Sequence, residues 1–204
     1  WPADNKRGQW GVNLGAEIAV GLWDVRMGST AEAIRHRGDI KLVMLVNDWS
    51  LRHLIPQELE KGFGFYQSKP ATAFAPFAVT PESLGDVWDG GKLHLPVHSF
   101  INDQWLGSPW AQEDMVFDFP QLIAHCAKTR SLRAGSIVGS GTVSNRDRSR
   151  GVSCLAEKRT LEIIDQGTAH TSFLKFGDRV RIEVLTRSGE SVFGAIDQQV
   201  MPID

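Results

Sequence analysis

Five apolar residues in a row, Leu42 to Val46, stop abruptly at Asn47 and Asp48. A short continuous apolar run of this kind reads as a buried strand. A carboxylate at the end of such a strand must be hydrogen-bonded, paired with a cation or protonated. This one junction therefore marks both a core element and a point where chemistry can sit. Arg52, four residues on, is a candidate cation for Asp48, and an Asx turn closing the strand is the alternative. Lys69 poses the complementary question. It is almost the only charge in GFGFYQSKPATAFAPFAVTP, Gly62 to Pro81, where it either snorkels to water or is held inward against an anion. That segment reads as a loop pressed into an interior.

Around this junction the chain is mixed, mainly β, with short helices. LGAEIAVGLW, Leu14 to Trp23, alternates as a strand does and places Glu17 on or near one face. Ser29 to His36 reads as a short helix capped by Ser29 or Thr30, with Glu32 in its first turn. A helical turn from Pro56 stops at Gly62. Leu93 to Phe100 and Gln104 to Gly107 flank Asn102 and Asp103 as a hairpin, and Phe119 to Lys128 is an amphipathic helix. A strand pair, Arg179 to Thr186 and Ser191 to Val200, turns at Ser188 and Gly189. With 204 residues and no repeat or linker, a single domain is expected.

The formal charge of -2 and the lack of a long single-sign stretch exclude a surface that tracks nucleic acid. No window approaches the ~20 apolar residues of a membrane span, and the opening WPADNKRG lacks the order of an export signal. Cys126 and Cys154 are too few and too far apart for a disulfide scaffold or a zinc knuckle, so the expectation is a soluble, cytoplasmic protein. The six histidines show no zinc spacing. VGSGTVSNRD, Val138 to Asp147, offers backbone amides with the hydroxyls of Ser140, Thr142 and Ser144, a loop able to cradle an anionic group. It lacks the nucleotide-binding patterns. Glu157 is either an acid–base group or a salt-bridged surface carboxylate.

Taken together, VNDWSLRHL (Val46 to Leu54), KGFGFYQSKPATAFAPFAVTPESLG (Lys61 to Gly85), GSGTVSNRD (Gly139 to Asp147), CLAEKR (Cys154 to Arg159) and the closing FLKFGDRVRIEV and SVFGAIDQQV resemble the fumarylacetoacetate hydrolase superfamily. The likeness runs in one unbroken order from about residue 10 to the end, as in a bacterial-type C-terminal catalytic domain. It implies a mixed β-roll or sandwich, a homodimer, and a Mg²⁺ or Ca²⁺ ion, with Mn²⁺ as a substitute. By the same resemblance Glu17 and Asp48 fall on metal-ligand positions. The first Glu of the family's Glu-x-Glu is Gly15 here, which removes a charge and a ligand, and Asn13, or Asp or Glu side chains of an upstream segment, are candidates to compensate. Arg52, Lys69 and Glu157 match catalytic positions; Arg52, Lys69, Thr142 and Tyr66 match substrate contacts. Ile55 stands where the eukaryotic hydrolases hold a substrate-contacting glutamine. The family's catalytic histidine and its lid are expected upstream of these 204 residues.

What the resemblance implies chemically is cleavage of a carbon–carbon bond in a β-diketone or 2-oxo acid such as fumarylacetoacetate, through a metal-stabilised enolate, as in aromatic amino acid catabolism. A decarboxylase, isomerase or hydratase of a related 2-oxo acid shares that step. Gly15 supports a further alternative, a metal-free relative without catalysis. Absence of the glycine fingerprint and of regular strand–helix alternation argues against a nicotinamide or flavin enzyme.

Overall fold

The stretch from Leu14 to Trp23 supplies the central strand, β2 (Ala16–Leu22), which is buried along its whole length. The apolar run lies in β3 (Ile40–Asn47), antiparallel to β2 with Glu17 opposite Val46 and Ala16 opposite Asn47. These elements belong to a computed structural model that describes residues 10–202. The opening WPADNKRG, read above for an export signal, lies outside the described residues.

Two four-stranded antiparallel sheets carry the fold. One runs β5 (Ala73–Phe74), β3, β2, β8 (Ile137–Gly139); the other runs β10 (Ile196–Gln199), β9 (Arg179–Val184), β6 (Val97–Ile101), β7 (Gln104–Gly107). A two-stranded ladder joins β1 (Val12–Asn13) to β4 (Ser50–Leu51). Because side chains alternate along a strand, Ile18, Val20, Val43 and Leu45 of the first sheet meet Val97, Val180, Ile182 and Val184 of the second in one core cluster. The fold is thus mixed and mainly β, as the sequence predicts.

The run Leu42 to Val46 departs from the expectation of a strand buried throughout: Leu42 is exposed and Met44 half-buried, opposite Gly21 and Ala19. On that face Val46, Glu17, Ala19 and Gly21 are buried nonetheless, so the exposure is confined to the Leu42 end of β3.

Five short α-helices, α1 (Ala31–Arg37), α2 (Ile55–Glu60), α3 (Pro81–Leu84), α4 (Phe119–Cys126) and α5 (Leu155–Gln166), and two single-turn 3-10 helices, Gly85–Val87 and Arg148–Arg150, complete the described elements. Thr30 caps α1 by accepting from the Ala33 amide, and Gly38 ends it in the left-handed region. Asp118 and Gln121 form a capping box on α4, and the Asp118 carboxylate also takes Arg35 of α1 at 2.6 Å. Asp118→Ala should therefore cost about 1 kcal/mol for the cap, read as a lower denaturant midpoint with an unchanged slope.

Sequence reasoning missed α5. Its reason is visible in the structure: Leu155 alone among its residues is buried, while Ile163 and Ile164 face outward, so the apolar stripe that betrays a helix is blurred. The αL glycine at its end, Gly167, was the available signal.

Candidate active site

Three strand ends and two loops converge near Asp48. Asp48 leaves β3 with its amide donating to the Gly15 carbonyl at 2.9 Å, while the Gly15 amide donates to Asn47 Oδ1 at 3.0 Å. These bonds tie the start of β2 to the end of β3. Two residues beyond Gly15 on the same face comes Glu17, 7% exposed. The loop after β8 straps it down: Ser140 N donates to Ile18 O at 2.8 Å, Gly141 N to Glu17 Oε2 at 3.1 Å, and Val143 N to Ala16 O at 3.0 Å. Glycine is needed in this strap. A Cβ on Gly139 would lie 3.0 Å from Glu17 Oε2, and Gly141 adopts φ +76°.

Lys69 and Asp48 resolve each other's alternatives. Lys69 Nζ donates to Asp48 Oδ2 at 2.5 Å and to Ser50 Oγ at 2.9 Å. The lysine is held inward, and Asp48's cation is Lys69 rather than Arg52. The surrounding loop is not pressed inward as the sequence suggests. Phe63, Phe65, Tyr66, Phe74 and Phe77 are exposed, and Ser68 is its buried residue. The loop is held through its polar backbone instead, by Glu58, whose carboxylate accepts from the amides of Tyr66, Gln67 and Ser68.

Burial is the largest influence on Glu17 and pushes its pKa up to about 7; the Asp48 carboxylate adds to this, while Lys69 and the Gly141 amide oppose it. The folded protein without metal thus holds this proton more tightly than the unfolded chain, whose glutamates titrate near ~4.3. Stability from this group is present below that pH and is lost as pH rises through about 7. The expected loss is about 3 kcal/mol. Urea unfolding in chelator at about pH 5 and about pH 8 reads it, and Glu17→Gln should remove the slope.

Thr142 joins the same place. A Cβ built on Gly15 would meet Thr142 Oγ1 at 3.3 Å and Glu17 Oε1 at 3.8 Å, so the missing side chain would have pointed between them. Glu157, in the first turn of α5, accepts from Ser144 Oγ at 2.5 Å, and its pKa is raised chiefly by burial. Arg52 is exposed and acts electrostatically on Cys154, as Glu157 does, on the α5 side of the site. Tyr66 contributes backbone here, its side chain being 84% exposed. Ile55 is buried, a core position, and Asn13 Oδ1 accepts from the Ala156 amide at 3.0 Å. Asn13 Oδ1 is thus engaged by the first turn of α5. Glu58 and Ser50 were missed, because their partners lie 8 to 10 and 19 residues away and no periodicity announces such contacts.

Beside the strap a pocket of ≈ 270 Å³ is lined by Ala111, Met115, Val116, Phe117 and Leu122 and by Ser140 to Ser144. Its two acids are paired, Glu113 with Arg150 at 3.1 Å and Asp114 with Arg146 at 3.6 Å.

The sequence pattern of the family described as fumarylacetoacetate (FAA) hydrolase, C-terminal, matches residues 1–201. The chain belongs to the fumarylacetoacetate hydrolase family. A fumarylacetoacetase from Caenorhabditis elegans is 28% identical over 188 residues, covering 79% of this chain and 45% of the worm protein. The chain thus spans under half the length of that curated relative. Among solved structures, a yeast fumarylacetoacetate hydrolase family protein superposes with a TM-score of 0.67 at 18% identity, over 93% of this chain and 67% of its own. A 2-hydroxyhepta-2,4-diene-1,7-dioate isomerase from Mycobacterium marinum gives 0.62 at 16%, over 94% and 59%. The family's fold therefore accompanies both a hydrolase and an isomerase by name.

Whether the donors present fit the family's divalent cation can be asked of the side chains themselves. Among the described residues no group of three or more His, Cys, Asp and Glu could hold a metal. Two carboxylates remain, Glu17 and Asp48, close enough to raise Glu17's pKa. That repulsion is what a cation relieves, and Mg²⁺ is commonly held by one or two carboxylates with water and substrate oxygens beside them. The pair fits such a minimal site. Restoring the third carboxylate as Gly15→Glu crowds the Asp48 carbonyl, 3.0 Å from the new Cβ. The variant should bind Mn²⁺ at least about tenfold more tightly, a gain of ~1.4 kcal/mol. It should lose about 1–3 kcal/mol of stability without metal; calorimetry and melting read the two effects.

Proposed function

We propose that this chain is a single catalytic domain of a divalent-metal-dependent hydrolase that cleaves a carbon–carbon bond in a β-diketone or 2-oxo acid such as fumarylacetoacetate. The observation that carries the reading is the Lys69 ammonium held against Asp48 beside Glu17 and Thr142, a cationic donor poised where an oxyanion can form. Glu17 and Asp48 would hold Mg²⁺ or Ca²⁺, with Mn²⁺ as a substitute. When bound, the ion supplies Lewis-acid polarisation of the substrate carbonyl.

This chain's own residues do the remainder. Lys69 donates to the oxygen that gains charge as the carbon–carbon bond breaks. Arg52 binds the substrate carboxylate from the exposed side. Thr142 and the strap amides orient the other end, whose uncharged part suits the neighbouring pocket, since the acids that line it, Glu113 and Asp114, are already paired with Arg150 and Arg146. Glu157, half-buried with a raised pKa, is suited to carry a proton. Tyr66 would contact substrate only with its exposed ring turned inward.

The second reading keeps the site and changes the reaction to isomerisation, decarboxylation or hydration of a related 2-oxo acid. The likeness to the mycobacterial isomerase favours it. A panel of such acids followed by loss of enol absorbance and product mass separates the two: two fragments that together equal substrate plus water support cleavage, whereas an isomer, a product lighter by CO2 or an intact hydrate overturns it.

We further propose a cytoplasmic homodimer. Support for the dimer comes from the apolar groups left outside a single chain, Trp23, Phe63, Phe74 and Ile137 among them. Support for the compartment comes from two free cysteines. Among the described residues no helix is long and apolar enough to cross a membrane. A monomeric mass by light scattering would overturn the dimer.

A further inference from the structure

The proposed role of Lys69 requires its ammonium to keep one position, yet its side chain has four rotors and its loop is rich in glycine and small residues. Two anchors fix the backbone from which it springs. On one side the Leu51 amide, three residues past Asp48, donates to the Ser68 carbonyl at 2.8 Å. On the other side is Glu58 of α2. Its carboxylate accepts from Tyr66 N at 2.8 Å, Gln67 N at 2.7 Å, Ser68 N at 3.3 Å and Ser68 Oγ at 2.5 Å. Three successive amides thus converge on one anion, a charge-assisted arrangement that a neutral acceptor reproduces poorly. The next residue along is Lys69.

We propose that Glu58 is a positioning residue for Lys69: it fixes the backbone of Tyr66 to Ser68 so that the following ammonium lies on Asp48 and Ser50. The inference rests on the oxyanion reading only for its catalytic consequence. Consistent with a clamp, the same donors hold the Glu58 carboxyl down at about 2, the Ser68 hydroxyl first among them. Glu162 provides an internal comparison. It clamps His170 N at 2.7 Å, Thr171 N at 2.8 Å and the Thr171 hydroxyl in the same manner, with no lysine following. Its removal loosens a loop without touching Lys69.

The test reads Lys69 directly. The full chain is acetylated with a limiting N-hydroxysuccinimide ester, and each lysine's rate is taken by peptide mass spectrometry, with Lys92, bonded to the Met115 carbonyl, as reference. In the parent the ion pair should make Lys69 slow. Glu58→Gln should speed Lys69 at least about tenfold relative to Lys92, because an amine released from Asp48 and Ser50 is open to the reagent. Glu162→Gln should leave the ratio unchanged. Ser68→Ala, which deletes one of the contacts, should shift Lys69 in the same direction by less, and decides the matter if Glu58→Gln does not fold. An unchanged Lys69 rate in a folded Glu58→Gln, or in Ser68→Ala where that variant alone folds, overturns the proposal; so does an equal rise in Glu162→Gln. Turnover is measured on the same samples. A kcat loss with KM unchanged joins positioning to catalysis, whereas faster labelling with full turnover keeps the positioning and removes Lys69 from the chemistry.

Discussion

Lys69→Ala is expected to lower kcat on a cleavable β-diketone or 2-oxo acid by about 10²–10³-fold, the usual cost of deleting one donor to a developing oxyanion. KM should change little, because the interaction strengthens only as charge forms. Lys69→Arg should not restore the rate. Its planar fork cannot place one point charge between Asp48 Oδ2 at 2.5 Å and Ser50 Oγ at 2.9 Å. The alanine variant carries a second consequence that separates structure from chemistry. Lys69 at present neutralises Asp48 and lowers Glu17's pKa. Without it two carboxylates face each other unopposed, so Mn²⁺ should bind more tightly even as turnover collapses. Stopped-assay kinetics with calorimetry on one preparation reads both, and a fall in KM-limited binding with kcat preserved would sink the oxyanion role.

Asp48→Ala should remove divalent binding outright, because a single carboxylate, Glu17, would be left beside an unpaired ammonium. Turnover should fall with it to background. The fold should survive. The Lys69–Asp48 pair is roughly three-quarters buried on each side, so losing one partner costs about 1–3 kcal/mol, between the values for surface and fully buried pairs. Titration with Mn²⁺ and Mg²⁺ of parent and variant decides the point: binding that persists in Asp48→Ala places the metal elsewhere, and binding absent from the parent but present in Gly15→Glu means a scaffold whose metal chemistry has lapsed.

Much of this was legible in the residues. Apolar alternation located β2, the turn at Asn102 and Asp103 located β6, capping chemistry located α1, amphipathic spacing located α4, and the abrupt Asn47–Asp48 end of an apolar run marked the centre of the site. Those signals are local, with periods of about two or four residues. Where the fold departs from expectation, the deciding contact is remote. Leu42 is exposed at one end of a face on which Val46 and Glu17 are buried, and the aromatic loop after Gly62 lies outside with its amides held by Glu58.

By itself, then, the sequence determined the mainly β class, the strand carrying Glu17, the charge at Asp48, and through ordered motifs the family. Tertiary structure alone decided that Asp48 pairs with Lys69 and not Arg52, that Gly141 of a strap 124 residues away caps Glu17, and that Asn13 is spent on α5. The reason is physical. Local patterning records which side of an element meets water, whereas the partner of a buried charge is fixed by which loops the packed sheets bring within a hydrogen bond of it.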